Sequence, residues 1–272
     1  MKTVSVVRVR PQVIKAAAVS RALASVGLDD GMIHTGQYLA LSVSDVFFDE
    51  LCISKRANTL GVTGGSNGEM IGRMLEKING VLTAEKPDWV LVDSDANSTL
   101  DARKRAATSS TIRQRLGLTE GGYQVATVHR AENTDCAETL GKVLTLLKAK
   151  AQEMPVVLPL HPRTRQAAAR FGLDFDGLIL CEPLGYLDMA WLVAGAAAVV
   201  TDSGGLQKEA YFHRRPCLTL RSETEWVETV EAGWNRLWDG ADYVTPRQEI
   251  TDYGDGNAAQ TIAALLKKGL PA

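Results

Sequence analysis

The chain has 272 residues, 45% of them hydrophobic and 23% charged, with a formal net charge of −2. That composition supports a buried core spread over one or two domains at about 150 residues each. Near-neutral charge argues against a nucleic-acid binder, which carries a basic face, and the longest apolar run, Met189–Val200, is shorter than the ~20 residues that span a bilayer.

Thr3–Val7 reads as a strand, and residues 11–25 as a helix opened by Pro11, where a missing N–H costs nothing. Met32–His34 is a short second strand. Residues 43–51 and 70–86 have helical periodicity, the latter with Ile71, Met74, Leu75, Ile78 and Leu82 on one stripe. Trp89–Val92, entered through Pro87, is a third strand. This βαβαβ order predicts a parallel sheet with helices on its faces. Only one helical segment, 98–116, and a loop separate it from the next strand. A doubly wound domain continues with a second βαβαβ half after its third strand, so the first domain stops short.

The second half repeats the pattern. Strands are predicted at Gln124–Val128, Val156–Pro159, Leu178–Leu180, Ala197–Thr201 and Cys217–Leu220. Helices are predicted at 137–152, 165–171, 186–194 and 206–212, with a last one at 257–268. No apolar leader precedes the first strand, and the cysteines (Cys52, Cys136, Cys181 and Cys217) form no CxxC pair. Free thiols and a cytoplasmic location are expected.

Open α/β sheets bind ligands at the carboxyl ends of their strands, and polar clusters fall there. The strand 197–201 runs into Asp202, Ser203, Gly204 and Gly205 and then a helix. A small-residue turn before a helix offers free N–H groups and a positive dipole end to an anion, typically phosphate. Glu209, one turn in, suits ribose hydroxyls. An ordinary strand–turn–helix corner is the competing explanation. Arg10 and Lys15, after strand one, can reach a phosphate or stabilise a leaving group, or can be surface cations. Asp95 is a candidate acid or base, or an N-cap. His129, directly after a strand, can bind pyrophosphate or move a proton, or can be a satisfied core histidine. His161 and the segment Arg221–Trp226 follow later strands.

Taken in order, RPQxIK (10–15), HTGQ (34–37), DxNSTL (95–100), HRAENTD (129–135), HPRTR (161–165), EPLGYLDM (182–189), TDSGGxQKEA (201–210) and RxxTEWVE (221–228) resemble the non-hydrolysing UDP-N-acetylglucosamine 2-epimerase family over nearly the whole chain. The resemblance implies an α/β protein of two Rossmann-like domains in the GT-B arrangement. The N-terminal domain would cover 1–118, shortened and completed by the C-terminal helix 257–268; the UDP-binding domain would cover 119–250. It further implies that Ser203, Gly204, Gly205 and Glu209 hold the UDP diphosphate and ribose. Arg10 would bind substrate, and Asp95, His129 and Lys15 would be the catalytic groups. The reaction implied converts UDP-GlcNAc to UDP-ManNAc, or acts on a UDP-diacetamido-glucuronate, toward which the TEW and HRAENTD wording leans. It proceeds by elimination of UDP to a 2-acetamidoglucal and re-addition. No metal or nicotinamide cofactor is needed, the partner is a UDP-sugar, and a homodimer is possible within the family.

The departures are as specific as the match. The family's HVEAGLRS block and its downstream PEE-type carboxylates are absent, and Leu100 runs directly into Asp101-Ala102. Two active-site glutamates of the family thus have no counterpart here. Arg8 stands in place of a glycine, Ser94 and Ala96 replace the Gly and Thr flanking the Asp, and Tyr38, Leu39 and Ala40 replace HYD-like residues. Two other functions fit the same residues: a non-catalytic or degenerate UDP-sugar-binding protein, and a GT-B glycosyltransferase.

Overall fold

A computed structural model of the protein describes residues 1–7, 10–35, 57–62, 64, 66–92, 110–254 and 257–269. The chain falls into two compact units, Met1–Ser98 with Tyr253–Ala272, and Thr99–Asp252. The predicted helix at 43–51 and Cys52 lie outside the described residues.

The first unit runs β1 (Lys2–Val7), α1 (Arg10–Ser25), β2 (Asp29–His34), β3 (Ala57–Thr59), α2 (Asn67–Glu85), β4 (Trp89–Val92) and the C-terminal helix Ala258–Lys268. Its sheet is parallel in the order β3-β2-β1-β4. Trp89–Val92 is therefore a fourth strand, not the third; β3 is too short and polar to stand out in the sequence. Alternation along the strands divides the core. Val4 and Val6 pack with Ile33, Met70, Met74 and Ile78 under α2. On the other face, Trp89 and Leu91 pack with Leu23 of α1 and with Ala263 and Leu266 of the C-terminal helix. Ser66 and Glu69 close the start of α2 in a reciprocal capping box. Of the apolar stripe expected on α2, Ile71 and Leu75 face solvent instead.

The second unit contains α3 (Ile112–Arg115), β5 (Gln124–Thr127), α4 (Ala131–Thr134), α5 (Ala137–Glu153), β6 (Val156–Pro159), α6 (Pro162–Phe171), β7 (Ile179–Cys181), α7 (Tyr186–Gly195), β8 (Ala198–Thr201), α8 (Gly204–Phe212), β9 (Cys217–Thr219), α9 (Val227–Glu231) and β10 (Asn235–Leu237). All of its strand pairs are parallel, in the order β10-β9-β8-β5-β6-β7. Read from β7, this is the 3-2-1-4-5-6 order of dinucleotide-binding sheets. Among the described residues the first sheet follows the same order as far as its fourth position. Strands buried on both faces need continuous apolar runs. Accordingly Val125, Val157 and Val199 face a core with Tyr123 and Leu192, while Ala126, Leu158 and Val200 face one with Leu140 and Leu147. Ile112 joins the Tyr123 core, so 110–118 packs with this unit. The helix expected over 98–116 shrinks, within the described residues, to Ile112–Arg115. The architecture is α/β with two Rossmann-like units, the first of them shortened.

Candidate functional site

In the second sheet the chain changes direction between β5 and β8, and such a switch point opens a crevice at the carboxyl ends of the strands. The loops leaving these two strands carry His129-Arg130 and Asp202-Ser203. Register pairs Thr127 with Thr201, and their hydroxyls meet at 2.6 Å. Thr201 Oγ1 also takes the Ser203 N–H at 2.9 Å. The turn into α8 is thus fixed by the strand that precedes it.

Ser203 stands at the N-cap position of α8 but makes no side-chain cap bond. The contrast with α2 is instructive, because there Glu69 closes the helix end. The first backbone N–H that α8 bonds to the cap residue is that of Gln207, to Ser203 O at 3.2 Å. The preceding turn is the part of a helix whose donors need outside partners. Gly204 is buried, and a Cβ there would run into the Glu225 carboxylate. Gly205 is exposed and its surroundings are open, the nearest atom to an added Cβ being Ser203 Oγ at 4.0 Å. Glu209 lies four residues on, on the same helix face, and is half-buried.

Asp202 does not cap α8. It is fully buried and turns toward the β5 loop. Its Oδ2 accepts from the backbone N–H groups of His129 and Arg130, both at 2.9 Å, and from Asn133 Nδ2 at 3.1 Å. Its Oδ1 lies 3.2 Å from His129 Nδ1. Burial alone would raise this carboxyl, but contact with the His129 ring and the two N–H donors hold it below the ordinary value. The His129 ring stands beside that of His161, with centroids 5.4 Å apart. Burial, reinforced by His129, keeps His161 below its usual value. His161 Nδ1 accepts the Arg163 N–H at 3.2 Å, capping α6.

The segment after β9 closes over α8. Trp226 Nε1 donates to Gly204 O at 2.8 Å, Thr224 Oγ1 donates to Gln207 Oε1 at 2.6 Å, and Lys208 Nζ lies over the Trp226 ring. Arg221 pairs with Glu225 at 2.7 Å. The start of α8 thus lies among His129, Arg221 and Glu225, with no side-chain cap from Ser203.

The second unit therefore gathers His129, Ser203, Gly204, Gly205 and Glu209 around β5, β8 and α8. Lys15 belongs to the first unit, buried in the second turn of α1. Arg10 begins α1, its side chain outside the described residues, and Asp95 lies outside them altogether. Asp202, which in the sequence stands only as part of the turn before the helix, bonds instead to the β5 loop, a link that no local pattern signals. Among the described residues no group of three His, Cys, Asp or Glu side chains is placed to hold a metal ion, and no helix is long and apolar enough to cross a membrane.

A family model described as UDP-N-acetylglucosamine 2-epimerase matches residues 21–110 and 101–267. The UDP-2,3-diacetamido-2,3-dideoxy-D-glucuronate 2-epimerase of Pseudomonas aeruginosa is 33% identical over 354 positions, covering 98% of this chain and 100% of that protein. A UDP-N-acetylglucosamine 2-epimerase homolog of Methanococcus maripaludis is 32% identical, covering 98% and 99%. The crystal structure of Methanocaldococcus jannaschii UDP-GlcNAc 2-epimerase in complex with UDP-GlcNAc and UDP matches with a TM-score of 0.82 at 25% identity, covering 99% of this chain and 100% of that one. The first alignment runs over 354 positions against 272 residues here, so that relative carries a block with no counterpart in this chain. The two segments of the family match meet at 101–110, where Leu100 runs into Asp101.

Proposed function

Because this chain belongs to the UDP-N-acetylglucosamine 2-epimerase family, we propose that it binds a UDP-N-acetylhexosamine on its second unit and inverts C2 by eliminating and re-adding UDP. The observation that supports this best is the uncapped start of α8, with Gly205 open to a ligand and Glu209 on the same face. Phosphate suits the helix end, and a carboxylate one turn along suits ribose. The 33% identity to the diacetamido-glucuronate enzyme supports a substrate of that class alongside UDP-GlcNAc.

No carbonyl adjoins the C2 proton of such a sugar, so simple deprotonation is too uphill. Elimination solves this. A base takes the C2 proton while the C1–O bond breaks and its electrons leave with UDP; re-addition delivers the proton to the opposite face. Asp95 is assigned as the base. His129 and Lys15 are assigned to the diphosphate side, Arg10 to substrate binding, and Ser203, Gly204, Gly205 and Glu209 to the nucleotide. Nothing in these steps needs a metal or a nicotinamide. A nucleotide-sugar substrate suits the cytoplasm, and the outer edge of β4, unpaired among the described residues, supports a self-associated state.

General acid–base groups contribute about 10²–10⁴-fold each, so a chain without the family's two glutamates turns over slowly. UDP should bind measurably by calorimetry, whereas deuterium from solvent should enter C2 of UDP-GlcNAc or its diacetamido-glucuronate relative only weakly, and not at all in Asp95→Asn. Strong exchange that survives Asp95→Asn would overturn both the slow rate and the base. The missing block also favours a second reading, a UDP-sugar-binding protein without turnover. UDP binding with no exchange under any condition selects it.

A further inference from the structure

Asp202 serves two loops with one carboxylate. Three donors converge on Oδ2, two from the backbone of the β5 loop and one from Asn133. Oδ1 is buried and has no aligned donor among the described residues, yet His129 Nδ1 is 3.2 Å away. An ionised carboxylate only accepts hydrogen bonds, so a bond across that gap requires the ring proton on Nδ1. Catalytic hydrogen bonds are often long or poorly aligned before the ligand arrives and tighten in the complex. The neighbouring His161 ring has its Nδ1 occupied by the Arg163 N–H at 3.2 Å. The His129 side chain is about one-third exposed, 37%, so its second nitrogen can reach a ligand.

We propose that Asp202 is a positioning residue that fixes neutral His129 as the Nδ1–H tautomer and leaves Nε2 to face the substrate diphosphate. This rests on the nucleotide site assigned above. Asp202 itself exchanges no proton. Nε2 takes a proton from solvent to become a donor toward the departing phosphate oxygen, and returns that proton to solvent when UDP adds back and the C1–O bond re-forms. Because Oδ2 grips the backbone of His129 and Arg130, the same group that sets the tautomer also sets where the ring sits.

The test is ¹⁵N NMR of histidine-labelled full-length protein at pH about 8, above the ordinary imidazole value of about 6.5, with His129→Gln assigning the signals. Wild type should show His129 protonated on Nδ1. In Asp202→Asn the amide oxygen can still accept the backbone N–H groups while its NH₂ faces Nδ1, so the proton should move to Nε2. UDP affinity should fall on the order of tenfold, because the ring that takes up a proton beside the diphosphate loses its carboxylate partner, with little further loss when His129→Gln is added. A purely structural role for Asp202 would not move the tautomer. Wild-type His129 protonated on Nε2 in a protein that binds UDP overturns the Asp202 assignment alone, and it decides the matter even if Asp202→Asn fails to fold. An unchanged tautomer in folded Asp202→Asn also overturns it. Wild type that binds no UDP overturns the nucleotide site, and with it the purpose given to Nε2.

Discussion

At Gly205 the backbone is helical and an added Cβ would make only an ordinary contact, with Ser203 Oγ at 4.0 Å. The fold alone therefore does not call for glycine. Alanine at a helical position that accepts it stabilises by about 0.4–1 kcal/mol. Gly205→Ala should melt at or above the wild-type temperature and yet bind UDP less well. Equal affinity would show that no phosphate approaches the backbone there. Gly204→Ala should instead cost stability, because the Glu225 carboxylate fills the space its side chain would need. Glu209→Ala should weaken UDP binding by about 1–3 kcal/mol, the cost of leaving a hydrogen-bonding partner unsatisfied; unchanged affinity removes it from the site. The placement of Gly205 and Glu209 on one helix was legible in the sequence because it is local. The contact of Asp202 with the β5 loop was not, since it depends on pairing β5 with β8 and joins residues 73 positions apart.

The secondary structure was legible wherever a run of apolar or β-branched residues was long enough to declare its period. β5, β6, β8 and the long helices fall within three residues of expectation. Three failures have local causes. β3 and β10 are three-residue strands whose pairing comes wholly from their neighbours. The helix expected across 98–116 gives way at Ser110, whose hydroxyl binds Asp188 at 2.6 Å and takes the Ile112 N–H at 3.3 Å. Such side-chain bonds compete with helical ones, and Gly117 at φ 64° closes the other end. Within the first sheet, Thr3 pairs with Asp30, and the buried Asp30 carboxyl accepts from Thr3 Oγ1 at 2.8 Å and from Ser5 Oγ at 3.3 Å. Burial raises its pKa despite these bonds. The folded state therefore holds this proton more tightly than the unfolded chain does. Stability of the first unit should fall as pH rises from the unfolded value of 3.8 through the raised folded value. Asp30→Asn should flatten that slope in urea midpoints measured across acidic pH. An unaltered slope would place the titration elsewhere.

For the molecule as a whole, the truncation of the first sheet leaves a physical trace. Register puts Val90 and Val92 on the same face as Val4 and Val6, but α2 covers only the inner pair, and Val92 remains 75% exposed. Among the described residues β4 is the edge of this sheet, and an exposed apolar edge strand invites pairing with another chain. Sedimentation should show concentration-dependent association, and Val92→Lys should suppress it without lowering the melting temperature. A monodisperse wild-type monomer at every concentration would show that β4 is protected. Two α/β domains and a shortened first sheet follow from the order of strand and helix signals, whereas β3, which pairs with β2, does not. The C-terminal helix carries a separate consequence. Its Ala263 and Leu266 complete the core of α1, while the whole second unit lies between these two partners in the chain. During synthesis α1 must wait for this helix, and the second unit, continuous in sequence, can fold in the interval. The usual N-to-C order of domain folding is thereby reversed.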